Sequence, residues 1–502
     1  MLSLTSNLFH CLVRKMKHAG FGLLLLISHG AHAQTQDTLV LDLPKVIDLA
    51  LEQSNSARSA RHSFLVQHWN YRNYRANYLP SVSLSSSPYI NNEVNKITQG
   101  DGTSRFIQQS QFGGNVVMSI NQNISLTGGT FFIKSGMNFL RELEQKTNMF
   151  STTPVSIGYQ QALFGYNSMK WERRLEPLRY QQAKKNYAEA IELVSAQACS
   201  QFFNLATAQS TKELTRTNFA SADTLYRLAE GRYKIGTITE NEMLQLEIRR
   251  HSEEINAMDA QLNEEEQLNN FRSFLGLSQE TPIRLVLPDS VPLIEVPVGK
   301  ALSLALEKSP DPIYYELMRR EASSNLARAK SNAGLKADIY LQFGLSQTGA
   351  NMRDAYKRPL TQEYASITLS LPILDWGRGR GQIKVARSQQ EQINMQAEQG
   401  MEDFRKNVLK LVTQFNMQAK KVHIAQLKRE RADHRHNVAM RLYIMGKNSL
   451  LDLNDAISER NSARDAEVSS MRTFWNLYYT LRSMTGYDFQ NNCEIINQLP
   501  IK

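Results

Sequence analysis

Two stretches of the chain contain no proline at all, residues 178–281 and residues 373–499, and both repeat apolar side chains at threes and fours. In the first, Tyr187, Ile191, Val194, Ala198, Phe202 and Leu205 recur at this spacing, followed later by Ile255, Met258 and Leu262. In the second the series is Val408, Leu411 and Phe415, then Val468, Met471, Trp475 and Tyr478. This spacing predicts long helices with the narrow apolar seams of coiled-coil packing, without broad core-facing stripes. From Tyr166 to Glu230 and from Gly381 to Met445 a rod of some 65 residues would reach about 100 Å, several times the thickness of a bilayer's hydrocarbon core. Such a rod reaches far beyond the membrane. Pro177 lies near the start of the first and is expected to kink it.

The rods belong to a duplicated plan. Leu49-Ala50-Leu51-Glu52-Gln53-Ser54 recurs as Leu304-Ala305-Leu306-Glu307-Lys308-Ser309, 255 residues on. Gly236 and Gly276 find counterparts in Gly446 and Gly486, both 210 residues on. One unit used twice, with about 45 more residues in the first copy, accounts for both offsets. The expected layout is a first repeat over residues 34–290, a second over 291–488 and a C-terminal tail over 489–502. Each copy opens with a short helix that breaks, at Asn55 in the first and at Ser309-Pro310-Asp311-Pro312 in the second. A further helix then ends near Tyr78 or Ala333.

Beyond those helices the period changes to two. Ser81-Val82-Ser83-Leu84-Ser85, Asp338-Ile339-Tyr340-Leu341-Gln342-Phe343 and Ala365-Ser366-Ile367-Thr368-Leu369-Ser370-Leu371 alternate polar with apolar residues, as strands do. A polar loop from Gln347 to Gln362 separates the pair in the second copy. Two strands do not make a stable sheet alone, so each copy must complete one with strands from elsewhere, and a barrel shared between subunits meets that need. The longer first copy, with strands near 81–163, has room for an extra hairpin, Phe112 to Ile124 and Thr130 to Phe139 around Thr127-Gly128-Gly129. Alternation alone does not say whether that hairpin joins the sheet or lies outside it.

The N-terminus reads as a signal peptide over residues 1–33: Arg14, Lys15 and Lys17, an apolar core from Phe21 to Ile27, and Ala31-His32-Ala33 before Gln34. The segment from Met16 already has normal signal-peptide proportions, so Met1 and Met16 both stand as candidate starts. Three of the ten formal net positive charges lie in this leader, which leaves +7 spread among Glu and Gln along helices. That pattern suits a solvated surface and not a nucleic-acid partner. Cys199 and Cys493 sit in different settings and form no disulfide framework. His434-Arg435-His436 has the wrong spacing for a helical metal site and is expected on the surface. Gly377-Arg378-Gly379-Arg380-Gly381 is expected to be a strand-to-helix turn. There is no phosphate loop, dinucleotide fingerprint, zinc-protease helix or nucleophile elbow, so neither a cofactor nor a catalytic residue is assigned.

With duplication, strands and rods in hand, the chain resembles the TolC family of outer-membrane efflux channels over nearly everything after the leader. The resemblance rests on Leu49 to Asn55 and its echo at Leu304 to Pro310, on Tyr78-Leu79-Pro80-Ser81, on Ala162-Leu163-Phe164-Gly165 and Pro372-Ile373-Leu374-Asp375-Trp376-Gly377, and on the turns at Gly236 and Gly446. It implies a mainly α fold with membrane β-strands, a homotrimer whose hairpins close one β-barrel in outer-membrane lipid, and a hollow helical α-barrel across the periplasm. It also implies passive export with an adaptor protein and an inner-membrane pump, since no ATP site is present. The adaptor would dock at tips formed by Arg232, Tyr233, Gly236, Gly446 and Lys447. A gate would lie at Tyr443, Glu242, Asn448, Asp452 and Asp455, with the two aspartates on one helical face making a cation-favouring ring in the trimer. Asn448 stands where the family's founding type has an arginine, a departure from the family's pattern. The alternative class is a soluble periplasmic coiled-coil adaptor or scaffold whose strands form a sandwich.

Overall fold

The computed structural model describes residues 38–495, apart from 99, 101, 145 and 289; the expected signal peptide lies outside the described residues. After a short strand β1 (Leu39–Leu41) the first copy runs α1 (Leu43–Gln53), α2 (Asn55–Ala76), β2 (Ser81–Thr98), β3 (Ser104–Ile124), β4 (Gly129–Glu142), β5 (Thr147–Ala162), α3 (Ser168–Lys234) and α4 (Glu240–Leu275). After the linking strand β6 (Ile283–Leu285), the second runs α5 (Val298–Lys308), α6 (Asp311–Ala333), β7 (Lys336–Gly349), β8 (Leu360–Ser370), α7 (Arg378–Ile444) and α8 (Leu450–Thr485), closed by the small hairpin β9 (Tyr487–Asp488) and β10 (Cys493–Glu494). The expected fold, long helical hairpins joined to strands, is what the chain adopts. β1 and β6 pair in parallel, joining the openings of the two copies.

The rods α3 and α7 are 67 residues each, about 100 Å as helix. α3 continues through Pro177. Among the helices, three details of extent and burial depart from the sequence reading. The first short helix breaks at Ser54, one residue early, because the Ser54 hydroxyl accepts the Ala57 N–H at 3.1 Å and caps α2. The core is broader than a seam. Halfway along the rods Phe202, Phe203, Phe415 and Phe474 are fully buried together with Val46 and Ala50 of α1 and Ala301 and Ala305 of α5, because the two short helices wrap onto the rods and cover faces that a simple pair would leave open. Finally Ile255, Met258 and Leu262 are not buried within the chain; they are 59%, 59% and 66% exposed. With Leu244 and Ile248, also exposed, they form an apolar line along α4 at coiled-coil spacing that stays uncovered among the described residues.

All six long strands join one antiparallel sheet in the order β2-β3-β4-β5-β7-β8. The loop between β7 and β8 is shorter than expected, since the strands extend to Gly349 and from Leu360. The extra hairpin of the first copy is β3 and β4, in the middle of the sheet, and β5 crosses to β7 to connect the copies. Because strand side chains alternate, register fixes the faces. Val82 opposes Ile120, Leu84 opposes Met118, Ile90 opposes Phe112, and Ile339 opposes Ile367. That face is apolar and open: Val82, Leu84, Ile90, Phe112, Val116, Met118, Ile157, Phe343, Ile367 and Leu369 are all exposed. The other face carries Ser83 against Ser119, whose hydroxyls lie 2.8 Å apart, and Ser87 against Asn115. Among the described residues the outer edges of β2 and β8 have no strand partner. No helix among the described residues is long and apolar enough to cross a membrane.

Candidate functional site

The far ends of the two helical hairpins lie together. α3 ends in a turn where the Gly236 N–H donates to the Tyr233 carbonyl and the Thr237 N–H to the Arg232 carbonyl, both at 2.9 Å. α7 ends in the same way, with Gly446 donating to Tyr443 and Lys447 to Leu442, again at 2.9 Å. This paired pattern requires a left-handed residue at its fifth position, and Gly236 and Gly446 supply it at φ +73° and +72°. The following helices start with side-chain caps. Thr239 and Glu242 form a reciprocal capping box on α4. On α8 the Ser449 hydroxyl accepts the Asp452 N–H at 3.1 Å and lies 2.6 Å from the Asp452 carboxylate.

Leu225, Ala229, Leu246, Ala439, Leu450, Leu453, Ala456 and Ile457 bury themselves between the hairpins, and the Arg232 guanidinium donates to the Ile444 carbonyl at 2.5 Å, tying one tip to the other. Tyr443 is half-buried against this cluster. Burial first, and then the nearby Glu242 carboxylate, raise its phenol above the ordinary value, while Arg232 acts in the opposite sense. The hydroxyl therefore stays protonated and available as a donor. Tyr443, Glu242 and Arg232 are thus brought together, although the Glu242 carboxylate is engaged in its own helix cap. Tyr233 and Lys447 are exposed at the extreme end and Asn448 is half-buried.

Asp452 and Asp455, three residues apart on α8, are both exposed, while Leu453, Ala456 and Ile457 are buried, so the spacing sets the two carboxylates on one exposed edge of the helix. Arg435 of α7 pairs with Glu459 one turn further along the same side and lies within electrostatic reach of both aspartates. The acidic face therefore carries a positive charge behind it that the α8 sequence alone did not suggest.

The histidine pair lies deeper, away from the tips. His434 is exposed, but His436 is buried, contrary to expectation, because Arg460 reaches it from α8 at 3.2 Å while also donating to Asn218 of α3. Burial and then the Arg460 charge hold its pKa down, so the ring packs neutral between rods. No group of residues suited to a metal ion occurs among the described residues. Gly377 does begin a helix, in the left-handed region at φ +82°, with the Asp375 carboxylate accepting the Gly377 and Gly379 N–H groups at 2.9 and 2.8 Å. The caps at Thr239 and Ser449 are the site residues that sequence reasoning passed over, and the spacing of Thr239 to Glu242 and Ser449 to Asp452 carried their signal.

Solved structures with this fold include the CmeC outer membrane channel of Campylobacter jejuni, 15% identical with a TM-score of 0.63 over 88% of this chain and 85% of that one. VceC, an outer membrane protein of Vibrio cholerae, is 14% identical with a TM-score of 0.61 over 89% and 96%. The open state of the MtrE outer membrane channel of Neisseria gonorrhoeae is 17% identical with a TM-score of 0.57 over 88% of each. No curated protein matches the chain by sequence. A model of the outer membrane efflux protein family matches residues 135–277 and 301–486. Those two segments make up most of the chain, which therefore belongs to the outer membrane efflux protein family and serves in the outer membrane as a channel component of efflux systems.

Proposed function

We propose that three copies of this chain close one passive export channel, each giving its sheet to a common β-barrel in outer-membrane lipid and its rods to a hollow tube in the periplasm. The observation that carries this is the sheet: one face is open and apolar across every strand, and both edges end without a partner among the described residues. In lipid an open edge leaves backbone groups unsatisfied, so such a sheet must close on copies of itself. The uncovered apolar line on α4, Leu244, Ile248, Ile255, Met258 and Leu262, supports a neighbouring subunit's rod packing there. A water-soluble adaptor with its strands in a sandwich is disfavoured by the same face, which no second sheet covers among the described residues.

The tips at Gly236 and Gly446, with Arg232, Tyr233 and Lys447, are the docking ends for a periplasmic adaptor that connects an inner-membrane pump. Asp452 and Asp455 line the narrowest part as an acidic ring, with Tyr443, Glu242 and Asn448 holding the tube closed at rest. The chain itself performs no catalysis, and the energy for export comes from the pump. Fractionation and electrophoresis test the assembly: the protein should remain with outer membranes until detergent is added, and migrate as a trimer that heating converts to monomer. A chain that washes off with salt would refute it.

A further inference from the structure

The hairpin β3–β4 is where this chain has more than its own second copy, which contributes two strands to the sheet while the first contributes four. Two observations bear on what the hairpin does. First, its strands carry the same two-faced pattern as their neighbours. Phe112, Val116 and Met118 on β3 are exposed and apolar; opposite them in register stand Arg141, Met137 and Ser135 of β4, with Ile133 and Phe139 on the same face. Ser119, Asn121, Lys134 and Asn138 fall on the other face, where the apolar Phe132 is buried and Val117 and Leu140 are half-buried. A hairpin lying in water outside a barrel has no reason to keep apolar side chains on one face in phase with the strands on both sides of it.

Second, the inner turn of the hairpin, Ser125 to Gly128, is fastened to the helix-strand junctions. Gln122 Nε2 donates to the Tyr78 carbonyl at 2.9 Å and Asn123 Nδ2 to the Asn77 carbonyl at 3.2 Å, just where α2 gives way to β2. Asn167, the cap of α3, donates to the Ser125 carbonyl at 3.2 Å, and Gln161 at the end of β5 donates to the Thr127 carbonyl at 2.8 Å. The turn thus sits at the rim where barrel passes into tube.

We infer that β3 and β4 are membrane wall, so that the barrel has six strands per chain and its exit is wider than the four helix-connected strands alone would make it. This rests on the three-copy channel proposed above, in which six strands per chain give eighteen. A closed sheet of eighteen strands, spaced about 4.8 Å and tilted about 40°, has a backbone diameter of about 36 Å, against about 24 Å for twelve. With about 5 Å of side chain on each wall, the clear width is about 26 Å against about 14 Å, room for two helices of about 10–12 Å abreast where the narrower barrel admits one. The outer-membrane barrel is then no size filter for polypeptide-sized cargo, and discrimination falls to the tips.

A cysteine scan in outer-membrane vesicles tests this, using the full chain with Cys493→Ser and the buried Cys199 retained. Single cysteines replace Val116, Met118, Ile133 and Met137 on the apolar face and Ser119, Asn121, Lys134 and Asn138 on the polar face. Val82, Ser83, Ser366 and Ile367 on the edge strands serve as references, and the probe is a membrane-impermeant maleimide. The expected result is alternation on all four strands, with polar-face positions reacting at least tenfold faster. Alternation on β2 and β8 but equal reaction on both faces of β3 and β4 overturns the wall assignment and leaves the channel standing. Equal reaction on all four strands overturns the channel reading itself. Counting strands in an electron cryo-microscopy map of the detergent-purified oligomer gives a second measure: eighteen supports the inference and twelve refutes it.

Discussion

Replacing Gly236 or Gly446 with alanine isolates backbone geometry from packing. At both positions an added Cβ would meet nothing within 4 Å, while φ lies at +73° and +72°. The cost is then the left-handed conformation alone, about 1 kcal/mol for alanine. Gly231, five residues before Gly236, offers the opposite case: it too has open space around it, but it lies inside α3, outside the left-handed region. Gly231→Ala should stabilise the end of the rod by about 0.5–1 kcal/mol, the helix-propensity difference. Hydrogen-deuterium exchange of peptides spanning the first tip reads both changes as local opening. With about 1.4 kcal/mol per factor of ten, exchange at Gly236 and Thr237 should rise about fivefold in Gly236→Ala and fall about two- to fivefold in Gly231→Ala. Gly446→Ala should act on Lys447 as Gly236→Ala acts on Thr237. If the two first-tip substitutions move exchange in the same direction, the tip is not held by its left-handed glycine and the reasoning fails.

Asp452→Asn combined with Asp455→Asn should raise anion permeation in planar bilayers, and unchanged ion selectivity would count against the acidic ring. Arg482 bridges the buried carboxylates Glu192 and Asp488 at 2.8 and 3.0 Å, so Arg482→Met should lower stability by about 3–5 kcal/mol. Adding Glu192→Gln should return part of that loss in thermal melting, and no recovery would refute the pairing. Burial, and then the neighbouring Asp311, push the Glu189 carboxyl up to about 7 from 4.5. The native state thus holds the proton more tightly, and stability present below pH 4.5 is lost as pH rises through 7. Glu189→Gln should therefore stabilise the protein by about 2 kcal/mol at pH 8, after allowance for solvent screening, and by little at pH 4, as read by melting temperature in detergent.

What the sequence made legible is what local rules determine. Proline-free runs gave the rods to within a few residues, alternation found the strands, and the two glycines marked the turns because a left-handed cap is a local requirement. Burial was less legible where it depends on distant elements. Phe203 and Ala198 are buried in the core to which α1, far off in the chain, contributes by folding back onto α3, and no spacing within α3 reports that. Ile255, Met258 and Leu262 read as a seam correctly in period, but none of the described residues covers them. His436 reads as a surface residue because nothing within α7 announces Arg460, which arrives from the other arm of the hairpin. At the tips, the positions of Asp452 and Asp455 followed from helix geometry, whereas Arg435 behind them came from a different helix.

The pairing of β5 with β7 sets the order in which the molecule can be made. Phe150 meets Gly349 and Ala162 meets Asp338, with the whole hairpin α3–α4 synthesised between the two partners. A half-made chain therefore presents β2 to β5 with a greasy face and no neighbour beyond β5, and it must wait for the second half to emerge before that edge is capped. During the wait the strands are open to pairing with any other exposed edge. Only when β7 emerges does β5 gain its neighbour, so the sheet's continuity is set by the last-made half of the chain.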